Sequence, residues 1–182
     1  EQMFTIHIPT TVGSAVYYAT SIDELADNLK EVQPTVFAAV PRVWEKFYAG
    51  VTAQLAQTEG VKAKIASWAM DVGRKANAVR NKGGIPSGVL AAQAMVADRL
   101  VLGKVREAIG LENGRVLVTA AAPLSIDIKE FFSAFMVINE VYGQSEDTGP
   151  TAMTLPGRTK YASVGQAYPG VEVKIADDGE IL

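Results

Sequence analysis

The sequence predicts an α/β protein, with largely parallel sheet layers and flanking helices, on three observations. Short apolar runs recur along the chain as TVFAAV, RVLVTA and VINEVYG, the pattern of parallel strands buried on both faces. Between them stand stretches with apolar residues three and four positions apart, the spacing of helices packed on a sheet. Of the 182 residues 48% are hydrophobic, with a mean hydropathy of +0.13, as in a chain with a packed core rather than a disordered one.

Taken in order, Ser21 and Glu24 match a capping box, followed by Ile22, Leu25, Leu29 and Val32 at helical spacing. Pro34 breaks that helix, TVFAAV reads as a strand, and Pro41 suits the first turn of the next helix. There Val43, Trp44, Phe47, Tyr48, Val51 and Leu55 form a broad apolar face. Val61, Ile65, Trp68, Val72, Ala76 and Val79 then give the cleanest helical stripe, which NKGGIPSG ends. A third helical stretch carries Leu90, Ala94, Leu100, Val101 and Val105 and stops near Gly110. RVLVTA is the next strand, Ser125 is placed to cap a helix bearing Ile128, Phe131, Phe132 and Phe135, and VINEVYG follows as a strand. Near the end VEVKIA alternates before the turn signal DDG, predicting an antiparallel hairpin with one wetter face. The expected division is an α/β part over 1–40, a helical insert over 41–110, an α/β part over 111–160 and a β-rich part beginning at 161–182.

Charge and composition exclude several functions. With 17 Lys and Arg against 20 Asp and Glu, the net charge of −3 offers no field for a nucleic-acid backbone. The chain has no Cys and a single histidine, His7, which rules out disulfides, thiolate zinc sites and a multi-histidine metal site. His7, followed two residues later by a proline, reads as structural. No stretch reaches the ~20 apolar residues of a membrane span, and the start has no basic segment leading into an apolar signal core. A cytoplasmic protein is the expectation. The chain opens inside an apolar segment and ends while a strand pattern is still running, so an internal fragment is expected.

The candidate chemistry lies in TAAAPLS and YGQSEDTGP, two loops that leave neighbouring predicted strands, where ligands sit in open α/β sheets. Ala120, Ala121 and Ala122 would let the backbone approach a flat ring before Pro123 stiffens the exit, or they form an ordinary tight strand-to-helix connection. Tyr142 is suited to stacking on a base, Gly143 to close backbone approach, Ser145 to hydrogen bonding a phosphate oxygen and Glu146 to holding Mg²⁺. A polar turn capped by Asp147 explains the same residues without a ligand.

TAAAPLS followed by VYGQSE resembles the adenine-binding loop and the Tyr-Gly-x-Ser/Thr-Glu signature of the adenylate-forming enzymes: acyl-CoA synthetases, luciferases and peptide-synthetase adenylation domains. VGQAYPGVEVKIADDGEIL is similar to the segment that follows in that superfamily, and QPTVFAAVPRVWEKF to the phrase before the helical insert of long-chain fatty acyl-CoA synthetases. The resemblance spans essentially the whole chain and implies part of the large AMP-binding N-terminal domain. It departs from the family's usual glycines at Ala120 and Ala121 and from its commoner threonine at Ser145. The family's upstream phosphate loop, its downstream ribose-binding aspartate and the domain carrying its catalytic lysine fall outside the sequence, so the isolated piece is expected to be inactive.

The resemblance implies a ligase that joins a fatty carboxylate to the α-phosphorus of ATP, releases pyrophosphate, and passes the acyl group from AMP to coenzyme A. It implies Glu146 as the Mg²⁺ ligand, Ser145 at the α-phosphate, and adenine enclosed by Tyr142 with Ala120, Ala121, Ala122 and Pro123, next to Glu140, Val141 and Gly143. Ala120, Val141 and Gln144 would line the mouth of an acyl channel, while the aromatics of FFSAF read as core. Arg42, Trp44 and Glu45 read as a helix start with a buried indole and a local ion pair. Lys62, Lys64, Arg74, Lys75 and Arg80 form a solvated helix face, or else a peripheral contact with anionic lipid. The adenylation unit of a carboxylic acid reductase or peptide synthetase, and a non-catalytic acyl- or nucleotide-binding module, are the alternative functions.

Overall fold

Capping and breaker residues set most element boundaries in the computed structural model, which describes residues 3–155 and 157–182; Glu1, Gln2 and Pro156 lie outside the described residues. A π-helical turn (Met3–His7) runs into α1 (Ile8–Val12). Before α2 (Leu25–Val32), the Glu24 N–H donates to the Ser21 hydroxyl at 3.1 Å. The other half of the predicted capping box is not made, because the Glu24 carboxylate accepts the Thr20 hydroxyl at 2.5 Å instead. Ile22 is 70% exposed and does not join the apolar stripe. β1 (Val36–Ala39) leads into α3 (Pro41–Ala56), with Pro41 in the first turn as predicted.

α4 (Gly60–Arg80), α5 (Gly88–Ala97), a π-helical turn (Asp98–Leu102) and α6 (Gly103–Ala108) complete the helical region. β2 (Val116–Thr119), α7 (Ile126–Phe132), β3 (Ile138–Gln144), β4 (Gly149–Met153) and β5 (Gln166–Ala167) follow. The five strands lie in the order β1-β2-β3-β4-β5. β1, β2 and β3 are parallel, with Phe37 opposite Leu117 and Leu117 opposite Ile138, whereas β3–β4 and β4–β5 are antiparallel. The predicted mixed α/β class is what forms: helical crossovers join the parallel strands, as that geometry requires.

Trp44 anchors the core. It is fully buried, its Nε1–H donates to the Val118 carbonyl at 3.3 Å, and its ring meets Phe37 and Phe132 edge-on at 5.4 and 5.8 Å. Phe131, Phe132 and Phe135 continue the aromatic cluster, and Tyr48 meets Phe131 at 4.9 Å. Arg42 and Glu45 pair at 3.5 Å on the exposed side of the same helix. The reading of VPRVWEK as a structural phrase therefore holds.

Four local expectations need correction. β1 alternates exposed Val36 and Ala38 with half-buried Phe37 and Ala39, so one of its faces is uncovered among the described residues and Val36 is 55% exposed instead of buried. The stripe on α4 is buried over its second half, at Val72 and Ala76, while Val61 is 72% exposed near the helix start. In the third helical stretch the π-helical turn adds a residue to one turn and rotates the buried face, so Leu102, not Leu100, enters the core. The C-terminal hairpin forms by pairing Ile175 with Ile181, but both are exposed and neither face is drier, since no described layer covers it. No described helix is long and apolar enough to cross a membrane.

Trp44→Ala removes the centre of this cluster and is expected to cost about 3–5 kcal/mol. Urea unfolding monitored by far-ultraviolet circular dichroism measures it.

Candidate functional site

Because β2 and β3 are parallel and paired as far as Thr119 opposite Glu140, the segments after them leave from the same edge of the sheet. They differ in kind. After β2 the chain runs through an irregular turn into α7, whereas β3 continues beyond its neighbour to Gln144 and folds back as β4. YGQSEDTGP is thus a β-hairpin and not an open loop. Gly143 is required in it, since a Cβ there would collide with the Gly149 carbonyl at the register shift between Tyr142 and Gly143.

Glu140 ties the two segments together. Its carboxylate accepts the Lys129 ammonium at 2.5 Å and the Leu124 N–H at 3.4 Å, with both charged side chains buried. Its main chain donates to the Thr154 hydroxyl at 2.7 Å and accepts the Thr154 N–H at 3.0 Å. α7, the alanine turn and both strands of the hairpin are therefore held by one residue. Ser125 stands at the N-cap of α7, but its hydroxyl makes no capping bond; its carbonyl accepts the Lys129 N–H.

The alanine turn is strained. Ala121 has φ +74°, in the left-handed region that favours glycine. Ala120 is half-buried, and Ala121, Ala122 and Pro123 are exposed. On the other wall Val141 is buried, Tyr142 is half-buried, and Gly143, Gln144, Ser145 and Glu146 are exposed.

At the hairpin tip the exposed Asp147 bonds back onto the hairpin itself. Its Oδ1 accepts the N–H groups of Gln144 and Gly149 at 3.2 and 3.1 Å, and its Oδ2 accepts the Thr151 hydroxyl. These bonds, the Thr151 hydroxyl first, hold its carboxyl below the usual aspartate range against a smaller desolvation effect. The Ser145 hydroxyl and the Glu146 carboxylate make no hydrogen bond or ion pair among the described residues and face solvent. No group of three or more His, Cys, Asp or Glu side chains converges among the described residues. A metal at Glu146 would be of the kind held by one carboxylate, substrate phosphates and water, which Mg²⁺ accepts. Glu146 fits that role because its neighbour Asp147 is already engaged.

The residues that sequence reasoning missed are positioning groups: Lys129, Thr151 and Thr154. Lys129 lies among Ile128, Phe131 and Phe132 in a helix too short for periodicity to mark its buried side. Asp147 was legible as a turn cap, and it is one.

Two tied segments at the carboxyl ends of adjacent parallel strands stand where open α/β sheets as a class take their ligands. Comparison with known proteins makes this specific. The family model described as AMP-binding enzyme matches residues 1–182, and the chain belongs to that family. It is 37% identical over 190 residues to the long-chain-fatty-acid–CoA ligase ACSBG2 of Xenopus laevis, covering 100% of this chain and 25% of that protein. It is 36% identical over 185 residues to the putative fatty-acid–CoA ligase fadD11 of Mycobacterium tuberculosis, covering 100% of this chain and 32% of the relative. Human ACSBG2 is 33% identical over 173 residues, covering 93% and 26% respectively. The chain spans about a quarter to a third of the length of these relatives. No solved structure matches.

Two outcomes follow from the site geometry. Ala121→Gly relieves the left-handed strain and is expected to stabilise the chain by about 0.5–1 kcal/mol, the gain being smaller than the strain because glycine also loses more entropy on folding. Thermal and urea unfolding check this. Because the folded Asp147 carboxyl is held below its unfolded value, its contribution is complete above the unfolded value and is lost as pH falls through the folded one. The amide resonances of Gln144 and Gly149 should accordingly shift together at a midpoint below the usual aspartate range, and Asp147→Asn should abolish that transition.

Proposed function

We propose that the chain forms one wall of the adenylation site of an ATP-dependent long-chain fatty acid–CoA ligase. The observation that carries this reading is the hairpin tip, which presents a free Ser145 hydroxyl and Glu146 carboxylate at the sheet edge from which the alanine turn also leaves, while Asp147 is committed to the fold. The names of the similar proteins, fatty-acid–CoA ligases, support the reaction class.

In this reading Ala121, Ala122 and Pro123 on one side and Tyr142 on the other hold the adenine, with Ala120, Glu140, Val141 and Gly143 behind them. A flat ring needs close backbone approach on one face and an aromatic or apolar surface on the other. The Ser145 hydroxyl donates to an oxygen of the α-phosphate and orients it toward the incoming carboxylate. Glu146 is the residue that would hold Mg²⁺, which when bound neutralises phosphate charge. Attack of the fatty carboxylate on the α-phosphorus gives acyl-AMP and pyrophosphate, and the thiol of CoA then displaces AMP. Val141, Gln144 and Ala120 stand at the mouth of the acyl channel, where each buried CH₂ contributes about 0.8 kcal/mol.

Fatty-acid-dependent exchange of pyrophosphate into ATP by the full-length protein tests this. Long-chain acids are expected to support exchange, and Glu146→Gln to reduce it by roughly 10²–10³-fold, the scale for losing one group that stabilises developing charge. Exchange driven by amino acids but not fatty acids, or wild-type exchange in Glu146→Gln, would overturn the proposal.

A further inference from the structure

A separate cleft lies at the far end of α7, away from the alanine turn. A cleft of about 350 Å³ is walled by the C-terminal half of α4, by Glu130 and Ser133 of the α7 end, and by Thr159 and Tyr161. That volume falls at the low end of small-molecule sites, about 300–1,000 Å³.

Asn77 is the informative residue. It is only 6% exposed, it lines the cleft, and its side-chain amide makes no hydrogen bond among the described residues. The amide atoms keep access to the cleft they line, so their hydrogen-bonding capacity is open to whatever occupies it. Asn81 lies one helical turn further along the same wall, and Arg74 and Lys82 add two cations, of which Arg74 also feels the Asp71 carboxylate that pairs with Lys75, while Lys82 forms no ion pair among the described residues. The last carbonyls of α4 are already used: Asn77 accepts the Asn81 N–H, Val79 those of Lys82 and Gly84, and Arg80 that of Gly83. The unspent hydrogen-bonding capacity therefore belongs to side chains. Opposite stands the Glu130 carboxylate, also without an ion pair, beside the Ser133 hydroxyl that donates to the Glu130 carbonyl at 2.6 Å.

Two cations and two amides suit an oxyanion, and a single carboxylate across the cleft suits a hydroxyl donor on the same ligand. We propose that this cleft binds a phosphomonoester borne on a hydroxyl-rich group, with the phosphate toward Arg74, Lys82 and Asn77 and the hydroxyls toward Glu130. A bare phosphate would leave most of the volume and the carboxylate unanswered. The same chemistry is offered by a soluble sugar-type phosphate or by a phosphoinositide headgroup. The proposal is independent of the adenylation reading, because it uses none of the residues at the two tied segments.

Isothermal titration of the full-length protein with glycerol phosphate, and co-sedimentation with phosphatidylcholine vesicles with and without phosphatidylinositol phosphate, test it. Saturable glycerol phosphate binding, about tenfold weaker in Arg74→Gln, Lys82→Gln and also reduced in Asn77→Ser, supports a soluble ligand. Vesicle binding that needs phosphatidylinositol phosphate and is lost in the same double variant supports the headgroup. Arg74 and Lys82 are exposed, so that variant keeps the fold, and Glu146→Gln serves as a control that leaves either binding unchanged. Absence of both bindings, wild-type affinity in the double variant, or inorganic phosphate binding as tightly as glycerol phosphate would overturn it.

Discussion

The buried pair between Lys129 and Glu140 is the constraint on which the candidate site depends. Glu140 is the last residue of β3 to pair with β2, and its main chain is already bonded to Thr154 just beyond β4. It thus sits where the sheet changes from parallel to antiparallel. Its carboxylate reaches the other way, to Lys129 in the middle of α7 and to the Leu124 N–H before that helix. Removing one partner of such a pair leaves an uncompensated buried charge, at a cost of about 3–5 kcal/mol, although the intact pair adds little over an apolar replacement. What it contributes is registry: α7 has one seat on β3, and the alanine turn before α7 is seated with it.

The acidic residues around the hairpin divide their work. Glu140 and Asp147 spend their carboxylates on internal bonds, one at the root and one at the tip. Glu146, between them in the chain and next to Asp147, is left facing water. A turn in which Asp147 bonds the main chain on both sides projects its neighbours outward in a fixed direction, which is what a residue meeting a phosphate-bound cation needs. The ordinary reading of this stretch as a polar turn capped by Asp147 and the proposed nucleotide site are therefore compatible: the cap holds outward the residues that the proposed site would use.

Much of this was legible in the sequence. The apolar runs located β1, β2 and β3, Pro41 located the start of α3, and Trp44 was recognisable as core from its place on an apolar helix face. What sequence patterns missed was relational. Whether TVFAAV is buried on both faces depends on what covers each face of β1, and among the described residues one face is open, with Val36 and Ala38 exposed against half-buried Phe37 and Ala39. The π-helical turn at Asp98–Leu102 shifts a periodicity that pattern counting assumes to be constant. β4 was hidden because GPTAM, with its glycine and proline, lacks the β-branched alternation of a strand and pairs only through the hairpin that precedes it. Lys129 is a charged residue whose burial makes sense only once Glu140, eleven positions away, is known to face it.

The exposed apolar faces and the site obey different rules. Val36 on the β1 edge, Val89 and Met95 on α5, and Ile175 and Ile181 of the last hairpin are all substantially exposed. The bonds that shape the two site segments use none of these residues: they run from Leu124 and Lys129 to Glu140, from Glu140 to Thr154, and from Gln144, Gly149 and Thr151 to Asp147. All lie within residues 124–154. Strain is placed just before this frame, at Ala121, whose left-handed backbone costs about 1–2 kcal/mol for a residue with a Cβ. Such a conformation persists only where its surroundings over-determine it. Here they do, because the alanine turn is fixed at one end by the β2–β3 pairing and at the other by the Leu124 bond to Glu140.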